Sequence, residues 1–195
     1  MHVTILKSRL DEANLEKLLA VPNEHVHRFI AEAIELCKPS SVFVVTDDPD
    51  DINRVRRMAI ETGEEAPLAT EGHTIHYDGL HDQARDKART RYLVPEGETL
   101  SKNLRQIERK KGLAEVKGFL KNSMKNKVMV IRFFCLGPLD SIFSIPCLQL
   151  TDSFYVAHSE DILYRSVTNT SRALATRMIS LDSCTPQAGW TDLFR

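Results

Sequence analysis

A short apolar run followed by a clearly marked helix start is the feature that most constrains the fold. The run SVFVV, from Ser41 to Val45, is rich in β-branched and aromatic residues, which is typical of a buried strand. In the next segment, TDDPDDINRVRRMAIETG, Asp48 is a candidate N-cap, Pro49 lies in the first helical turn, and Gly63 stands where the helix would stop. A strand, a turn and a helix in this order predict the opening of an α/β layer.

Helical and extended patterns alternate along the rest of the chain. The segment NEHVHRFIAEAIELC begins with a candidate N-cap, Asn23, and has apolar residues at helical spacing, while EANLEKLLA before it predicts a shorter helix ending near Pro22. The charged segment from Leu100 to Lys125 predicts a long helix. Strands are predicted at RYLV, KVMVIRFFCL, IFSIPCLQL and DSFYVAHS, with the turn GPLDS joining the second and third. This order of elements predicts an α/β domain.

Composition narrows the class of protein. With 195 residues, 42% of them hydrophobic, the chain is long enough for one substantial core. The net charge of −1 provides no overall field that would recruit nucleic acid or an anionic membrane. No apolar run approaches the ~18 residues of a membrane span, so we expect neither a membrane protein nor a secreted one. The widely spaced cysteines form no CxxC pair and predict buried, reduced thiols of a cytosolic protein: Cys37, Cys135, Cys147 and Cys184.

A histidine-rich segment, GHTIHYDGLHDQARDKARTR from Gly72 to Arg91, raises the question of a metal site. Histidine and carboxylate side chains are ordinary ligands of zinc, manganese and iron. The spacing argues against a metal site, because no HExxH motif is present and residues three apart in an extended chain point to opposite faces. The pattern therefore favours a polar surface loop over a metal site for these residues: His73, His76, Asp78, His81 and Asp82.

Arginines follow the histidines directly and precede a predicted strand. Arg85, Arg89 and Arg91 carry guanidinium groups that could bind a carboxylate or a phosphate through two parallel hydrogen bonds. The alternative is a solvated charged surface in which they pair with Asp82 and Asp86. The residues alone leave both interpretations open.

The segment from Leu100 to Lys127 carries a basic stripe that could contact RNA or DNA. A solvated helix face, or one that docks on an acidic partner domain, is the favoured interpretation. The chain contains neither GxxxxGK[ST] nor GxGxxG, so no local motif assigns a nucleotide.

Two long stretches resemble a known family. LATEGHTIHYDGLHDQARDKARTRYLVP and RFFCLGPLDSIFSIPCLQLTDSFYVAHSEDILYR are similar to the N-terminal part of GTP-dependent phosphoenolpyruvate carboxykinases, above all the archaeal ones. The resemblance spans Asn14 to Arg165. It implies the fold of the family's N-terminal domain, an α/β fold with a mixed sheet flanked by helices.

The resemblance also implies a reaction. The family is a group of cytoplasmic lyases of gluconeogenesis that decarboxylate oxaloacetate and use GTP to form phosphoenolpyruvate, GDP and carbon dioxide, with manganese or magnesium. By motif, the arginine that holds the substrate carboxylate in the family falls on Arg89, with Arg85 as its neighbour. The histidines resemble the loop framework of the family, whose metal ligands lie further along the chain.

The sequence departs from the family after Arg165. The family's metal ligands, phosphate loop and guanine pocket all follow that point, so we expect no complete catalytic or metal site and no activity from this chain alone. We expect a carboxykinase-like domain at 1–165 and a non-family tail at 166–195 that is frameshifted or disordered. Phe133, Phe134 and Phe143 are candidates for an apolar surface that would pack on the missing part.

A second function from another class stays open. The chain would then be a non-catalytic module that binds a small dicarboxylate or a separate C-terminal carboxykinase fragment. In either case, we expect no nucleic-acid or membrane partner.

Overall fold

The computed structural model describes residues 2–78, 90–138, 141 and 143–166. The helices in this part of the chain are α1 (His2–Arg9), α2 (Glu12–Leu19), α3 (Glu24–Cys37), α4 (Pro49–Glu61), α5 (Arg109–Leu120) and α6 (Phe154–Leu163). The strands are β1 (Ser41–Val44), β2 (Ala66–Pro67), β3 (Thr74–Ile75), β4 (Tyr92–Val94), β5 (Gln106–Glu108), β6 (Val128–Leu136), β7 (Ile145–Thr151) and β8 (Arg165–Ser166).

The central sheet is built around β6 and is mixed. Strand β1 runs parallel to the first half of β6, and β7 pairs antiparallel along its other edge. Strand β8 pairs antiparallel with β6 at Phe134 and Cys135. Two small ladders lie outside this sheet, an antiparallel one between β2 and β3 and a parallel one between β4 and β5. The predicted α/β fold with a mixed sheet is confirmed.

Helices cover both faces of the central sheet because side chains alternate along each strand. On one face, Met129, Ile131 and Phe133 of β6 pack in a core with residues of α1, α2, α3 and α5. On the other face, Val130 packs with Phe43 and with residues of α4 and α6. The sheet is therefore buried on both sides along most of β6, which explains why this strand is nearly continuous in apolar residues.

The predicted helix starts are confirmed in atomic detail. The Asn23 side chain accepts hydrogen bonds from the backbone N–H groups of His25 and Val26 at the start of α3. At the start of α4, Asp48 accepts from the N–H of Asp50, and Pro49 occupies the first turn. Gly63 follows α4 with φ +75°, a left-handed conformation that glycine adopts without steric cost.

The predicted helix from Leu100 to Lys125 is wrong in its first part. Residues 106–108 form β5 beside β4, and a helix exists only over Arg109–Leu120. The backbone N–H of Tyr92 donates to the carbonyl of Arg105, which extends the contact between the two segments. Pairing with a strand distant in sequence overrides the local helical spacing of the apolar residues.

The predicted strand DSFYVAHS is also wrong, since Phe154–Leu163 forms α6. The Ser153 side chain accepts from the N–H of Val156 and so caps the helix. The sequence therefore contained a helix-start signal, an N-cap serine, that the short apolar run obscured. Helix α1 and the short strands β2, β3, β5 and β8 were not predicted either.

The cysteine prediction agrees with the described residues. Cys37 and Cys135 are buried free thiols, and Cys147 is partly buried. Burial raises the pKa of the Cys37 thiol. Cys184 lies outside the described residues. None of the described helices is both long enough and apolar enough to cross a membrane.

Candidate functional site at the start of helix α6

Only some of the residues predicted for the site lie in the part of the chain that the structure describes. His73, His76, Asp78 and Arg91 lie within the described residues, whereas residues 79–89, with His81, Asp82, Arg85 and Arg89, lie outside them. The assignment of Arg85 and Arg89 as substrate contacts therefore stays a prediction. The described residues on either side show how this part of the chain is attached to the fold.

His76 is fixed against helix α6. Its Nδ1 lies 2.6 Å from the backbone carbonyl oxygen of Glu64, which can only accept, so Nδ1 carries a hydrogen and donates it. The imidazole stacks on the ring of Tyr155 with centroids 3.5 Å apart and planes within 12°. Its Nε2 lies 3.4 Å from a carboxylate oxygen of Asp78. His76 thus has a structural contact on each edge and on one face of its ring.

Glu64 joins this histidine to the start of α6. Its carboxylate accepts hydrogen bonds from the backbone N–H groups of Phe154 and Tyr155, at 3.2 and 2.9 Å, and from the Ser153 hydroxyl. The first N–H groups of a helix have no partner within the helix, and the helix dipole favours a negative charge there. Glu64 therefore caps α6 with its side chain, and its backbone carbonyl accepts the hydrogen bond from His76.

A second acid and histidine pair lies one turn further along α6. Nδ1 of His158 lies 2.8 and 3.0 Å from the two carboxylate oxygens of Glu65, which is 6% exposed. Burial raises the pKa of the Tyr155 hydroxyl, and the negative charges of Asp78 and Glu65 raise it further. Tyr155 is consequently a neutral hydrogen-bonding and stacking group at ordinary pH.

These side chains hold the fold together more than they offer ligands to an ion. Within the described residues, no group of three or more His, Cys, Asp or Glu side chains is arranged to hold a metal. His76 and His158 already face Glu64, Asp78 and Glu65. The contacts of His76 fix the chain up to Asp78 against the start of α6.

The other end of the undescribed stretch is attached through Arg91. Its Nη2 lies 2.6 Å from a carboxylate oxygen of Glu115 in α5. Strand β4, which begins at Tyr92, pairs with β5 directly before that helix. Arg91, one of the three arginines considered from sequence, is therefore engaged in an ion pair with α5.

The basic stripe between Leu100 and Lys127 does not lie on one helix. It runs through turns, β5 and α5 rather than along one helix, and several of its lysines pair with acids: Lys110 with Glu96, Lys111 with Glu108, and Lys127 with Asp152. A solvated, internally paired surface accounts for these described residues.

A buried arginine was missed by sequence reasoning. The Arg132 side chain is 0% exposed on β6, where its Nη2 pairs with Asp161 of α6 and its guanidinium lies 4.9 Å from the centroid of the Phe134 ring. Within the described residues, Nε of Arg132, Oδ2 of Asp161 and Oε1 of Gln149 are buried atoms without a hydrogen-bond partner. A single arginine inside VMVIRFFCL was the available signal, because a charge in a buried strand needs a partner.

Another buried acid stabilises the turn after β1. One carboxylate oxygen of Asp51 accepts a hydrogen bond from Nζ of Lys17 at 2.6 Å, and the other accepts one from the Thr46 hydroxyl at 2.6 Å. Burial acts to raise the pKa of Asp51, but hydrogen bonds from Lys17 and Thr46 outweigh it and hold the pKa below its ordinary value. This cluster connects α2, β1 and α4, and it lies apart from the histidine segment in sequence.

Comparison with known proteins identifies the family. A family model for the phosphoenolpyruvate carboxykinase N-terminal domain matches residues 28–182. The chain is 52% identical over 160 residues to a phosphoenolpyruvate carboxykinase [GTP] of Thermococcus sibiricus, covering 82% of this chain and 26% of that protein. It is 53% identical to the protein of that name from Pyrococcus abyssi, with the same coverage. The Saccharolobus solfataricus protein is 38% identical over 167 residues, covering 82% of this chain and 27% of the relative.

The chain spans about a quarter of the length of the curated relatives it matches. The matching family model covers most of the chain and describes the N-terminal domain. The chain therefore belongs to the phosphoenolpyruvate carboxykinase family and corresponds to its N-terminal part.

Proposed function

We propose that this chain is the substrate-side domain of a cytoplasmic, GTP-dependent phosphoenolpyruvate carboxykinase. In that enzyme oxaloacetate loses carbon dioxide, and GTP phosphorylates the resulting enolate to give phosphoenolpyruvate and GDP, the lyase reaction that feeds gluconeogenesis. The observation that carries the proposal is the identity of about 50% to proteins named for GTP-dependent activity over 82% of the chain.

Arg89 is proposed to bind the substrate carboxylate, with Arg85 as its neighbour. A guanidinium group offers two parallel N–H donors that match the two oxygens of a carboxylate. The attachments at both ends support this role, because His76 stacks on Tyr155 of α6 and Arg91 pairs with Glu115 of α5. A contact that orients a small dicarboxylate benefits from such fixed flanking structure, since positioning contributes directly to rate.

The nucleotide and the metal ions are proposed to be held elsewhere in the enzyme. The described residues do not fit a resident manganese or magnesium ion, because no three acidic, histidine or cysteine side chains converge among them. We therefore assign the GTP and metal ligands to the part of the carboxykinase that follows the matched region. On this proposal the chain alone has negligible activity and binds oxaloacetate or phosphoenolpyruvate weakly.

Titration calorimetry with oxaloacetate and phosphoenolpyruvate tests the role of Arg89. The R89A variant is expected to abolish the binding heat, and R85A to weaken it. The matched control is R57A, which removes an exposed arginine of α4 whose ion-pair contact with Glu61 is long, at 3.9 Å. Binding that is unchanged in R89A would overturn the assignment, as would equal losses in R89A and R57A.

A second candidate function, from another class, is that of a non-catalytic module that binds a small dicarboxylate or a separate C-terminal carboxykinase fragment. Mixing the chain with the remaining part of the Thermococcus sibiricus protein separates these functions. Restored turnover would favour the catalytic domain, whereas binding without turnover would favour the module.

A further inference from the structure

Three side chains between the central sheet and α6 each keep one buried polar atom without a hydrogen-bond partner. The atoms are Nε of Arg132, Oδ2 of Asp161 and Oε1 of Gln149, and the described side chains that are not exposed contain no other atom of this kind. The Arg132 side chain is 0% exposed and the Asp161 side chain 9%. Buried polar atoms in native proteins nearly always have a partner, either protein or ordered water, because an unpaired one costs free energy.

The three side chains belong to one circuit of contacts. Arg132 of β6 and Gln149 of β7 are register partners, so their Cβ atoms lie on the same face of the sheet, roughly 5 Å apart. Nη2 of Arg132 pairs with Asp161. Nε2 of Gln149 donates to a carboxylate oxygen of Glu160, the preceding residue of α6, at 3.1 Å. We call Arg132, Gln149 and Asp161 the Arg132 cluster.

Other contacts of the guanidinium group restrict what a ligand in this cluster can reach. Nη1 of Arg132 donates to the carbonyl of Ala157, and the guanidinium lies 4.9 Å from the centroid of the Phe134 ring. Phe133 and Phe134, which were expected on an apolar surface, are instead 1% and 2% exposed, whereas Phe143 is 72% exposed. Phe134 therefore belongs to the packing around Arg132, which leaves Nε as its unpaired donor.

The chemistry of the three unpaired atoms selects the ligand. Nε of Arg132 can only donate, and the ionised carboxylate oxygen of Asp161 can only accept. The unpaired amide atom of Gln149 is its oxygen, because the other amide atom faces the Glu160 carboxylate and must be the donor. The matching ligand accepts one hydrogen bond and donates two, as water does. The guanidinium group disfavours a metal cation here, and the carboxylate disfavours an anion.

We propose that the Arg132 cluster binds one ordered water molecule, which accepts from Nε of Arg132 and donates to Oδ2 of Asp161 and Oε1 of Gln149. Buried waters typically make about three hydrogen bonds to polar groups that otherwise lack partners. The water is neutral, so Arg132 still depends on Asp161 for its counter-ion. It links both strands to α6, the helix whose Tyr155 stacks on His76. This inference does not depend on the proposed function.

A direct pair of two parallel hydrogen bonds between Arg132 and Asp161 is the alternative. Rotation of the carboxylate would bring Oδ2 to Nε while Oδ1 stays on Nη2, a common geometry for arginine and a carboxylate. It would leave Oε1 of Gln149 buried and unpaired, which costs free energy. A single water satisfies all three atoms, so the structure favours the water.

A crystal structure of the chain tests the site directly. We expect a well-ordered water oxygen within about 2.7–3.2 Å of Nε of Arg132, Oδ2 of Asp161 and Oε1 of Gln149. Direct contact between Nε and Oδ2 with no water between them would overturn the proposal. Protein partners for all three atoms would overturn it as well.

Magnetic relaxation dispersion of water oxygen-17 gives an independent count of long-lived internal waters in solution. The double variant R132M/D161L removes two of the three ligating atoms, and its dispersion amplitude should fall by the equivalent of one water relative to the wild-type chain. The matched control is E61A, which removes an exposed acid of α4 and should leave the amplitude unchanged. Circular dichroism checks that each variant is folded. An amplitude in folded R132M/D161L equal to that of E61A would contradict the proposed water.

Discussion

Replacing Asp161 by Ala should destabilise the domain strongly, because it leaves the Arg132 charge buried without a counter-ion. The Arg132 side chain is 0% exposed and the Asp161 side chain 9%, so water cannot replace the lost carboxylate without opening the packing between α6 and β6. The contacts left to the guanidinium are the Ala157 carbonyl, the Phe134 ring and a long contact of 3.4 Å to the Ser166 hydroxyl.

The size of the effect follows from the cost of an unpaired buried charge. Removing one partner of a buried ion pair typically costs about 3–5 kcal/mol. For a domain of this size each kcal/mol lowers the unfolding temperature by about 2–4 °C, so D161A should unfold about 6–20 °C below the wild-type chain. Urea unfolding followed by circular dichroism measures the free energy directly, and thermal unfolding checks it.

Two further variants separate the charge effect from lost packing. The double variant R132M/D161L removes both charges and should be more stable than D161A, because apolar residues often replace a buried ion pair at little cost. E61A removes the ion pair between Arg57 and Glu61, whose side chains are 64% and 56% exposed. It should change the free energy of unfolding by less than about 1 kcal/mol. A loss in D161A no larger than in E61A, or a double variant less stable than D161A, would refute the reasoning.

Three other outcomes follow from the described contacts. Changing Glu64 to Ala should lower stability by about 1–2 kcal/mol in urea unfolding, because the first N–H groups of α6 lose their acceptor; equal stability would contradict the capping role. Asp51 has a lowered folded pKa, so its stabilising contribution is present above the ordinary carboxyl value of 3.8 and is lost as the pH falls through the folded pKa. D51N should remove this acid dependence, and an unchanged pH profile of unfolding would refute it. Cys37, whose thiol pKa is raised by burial, should be alkylated more slowly than Cys147 in native protein analysed by mass spectrometry; the reverse order would contradict the packing.

Local signals in the sequence were enough to predict the α/β class and the best-marked helices. Asn23 and Asp48 are N-caps whose side chains act within a few residues, and the apolar run of β6 needs burial on both faces whatever its neighbours are. Such features depend on nearby residues alone. They were therefore predicted with the correct element type and nearly correct bounds.

The errors arose where a distant residue decides the local structure. Strand β5 forms because β4 lies beside it, and α6 is stabilised by Glu64, about 90 residues earlier in the chain. The roles of His76 and of the Arg132–Asp161 pair likewise depend on which elements meet in the fold. The assignment of Arg89 had a different source, since it came from resemblance to a family and not from the spacing of charges.

We proposed that this chain needs the rest of a carboxykinase for activity and contributes Arg89 to the substrate site. The most direct test is GTP-dependent formation of phosphoenolpyruvate from oxaloacetate by three proteins: the chain alone, a covalent chimera of residues 1–166 with the part of the Thermococcus sibiricus protein that follows the matched region, and the same chimera carrying R89A. We expect turnover only in the unsubstituted chimera. Turnover by the chain alone, or full activity in the R89A chimera, would contradict the proposal.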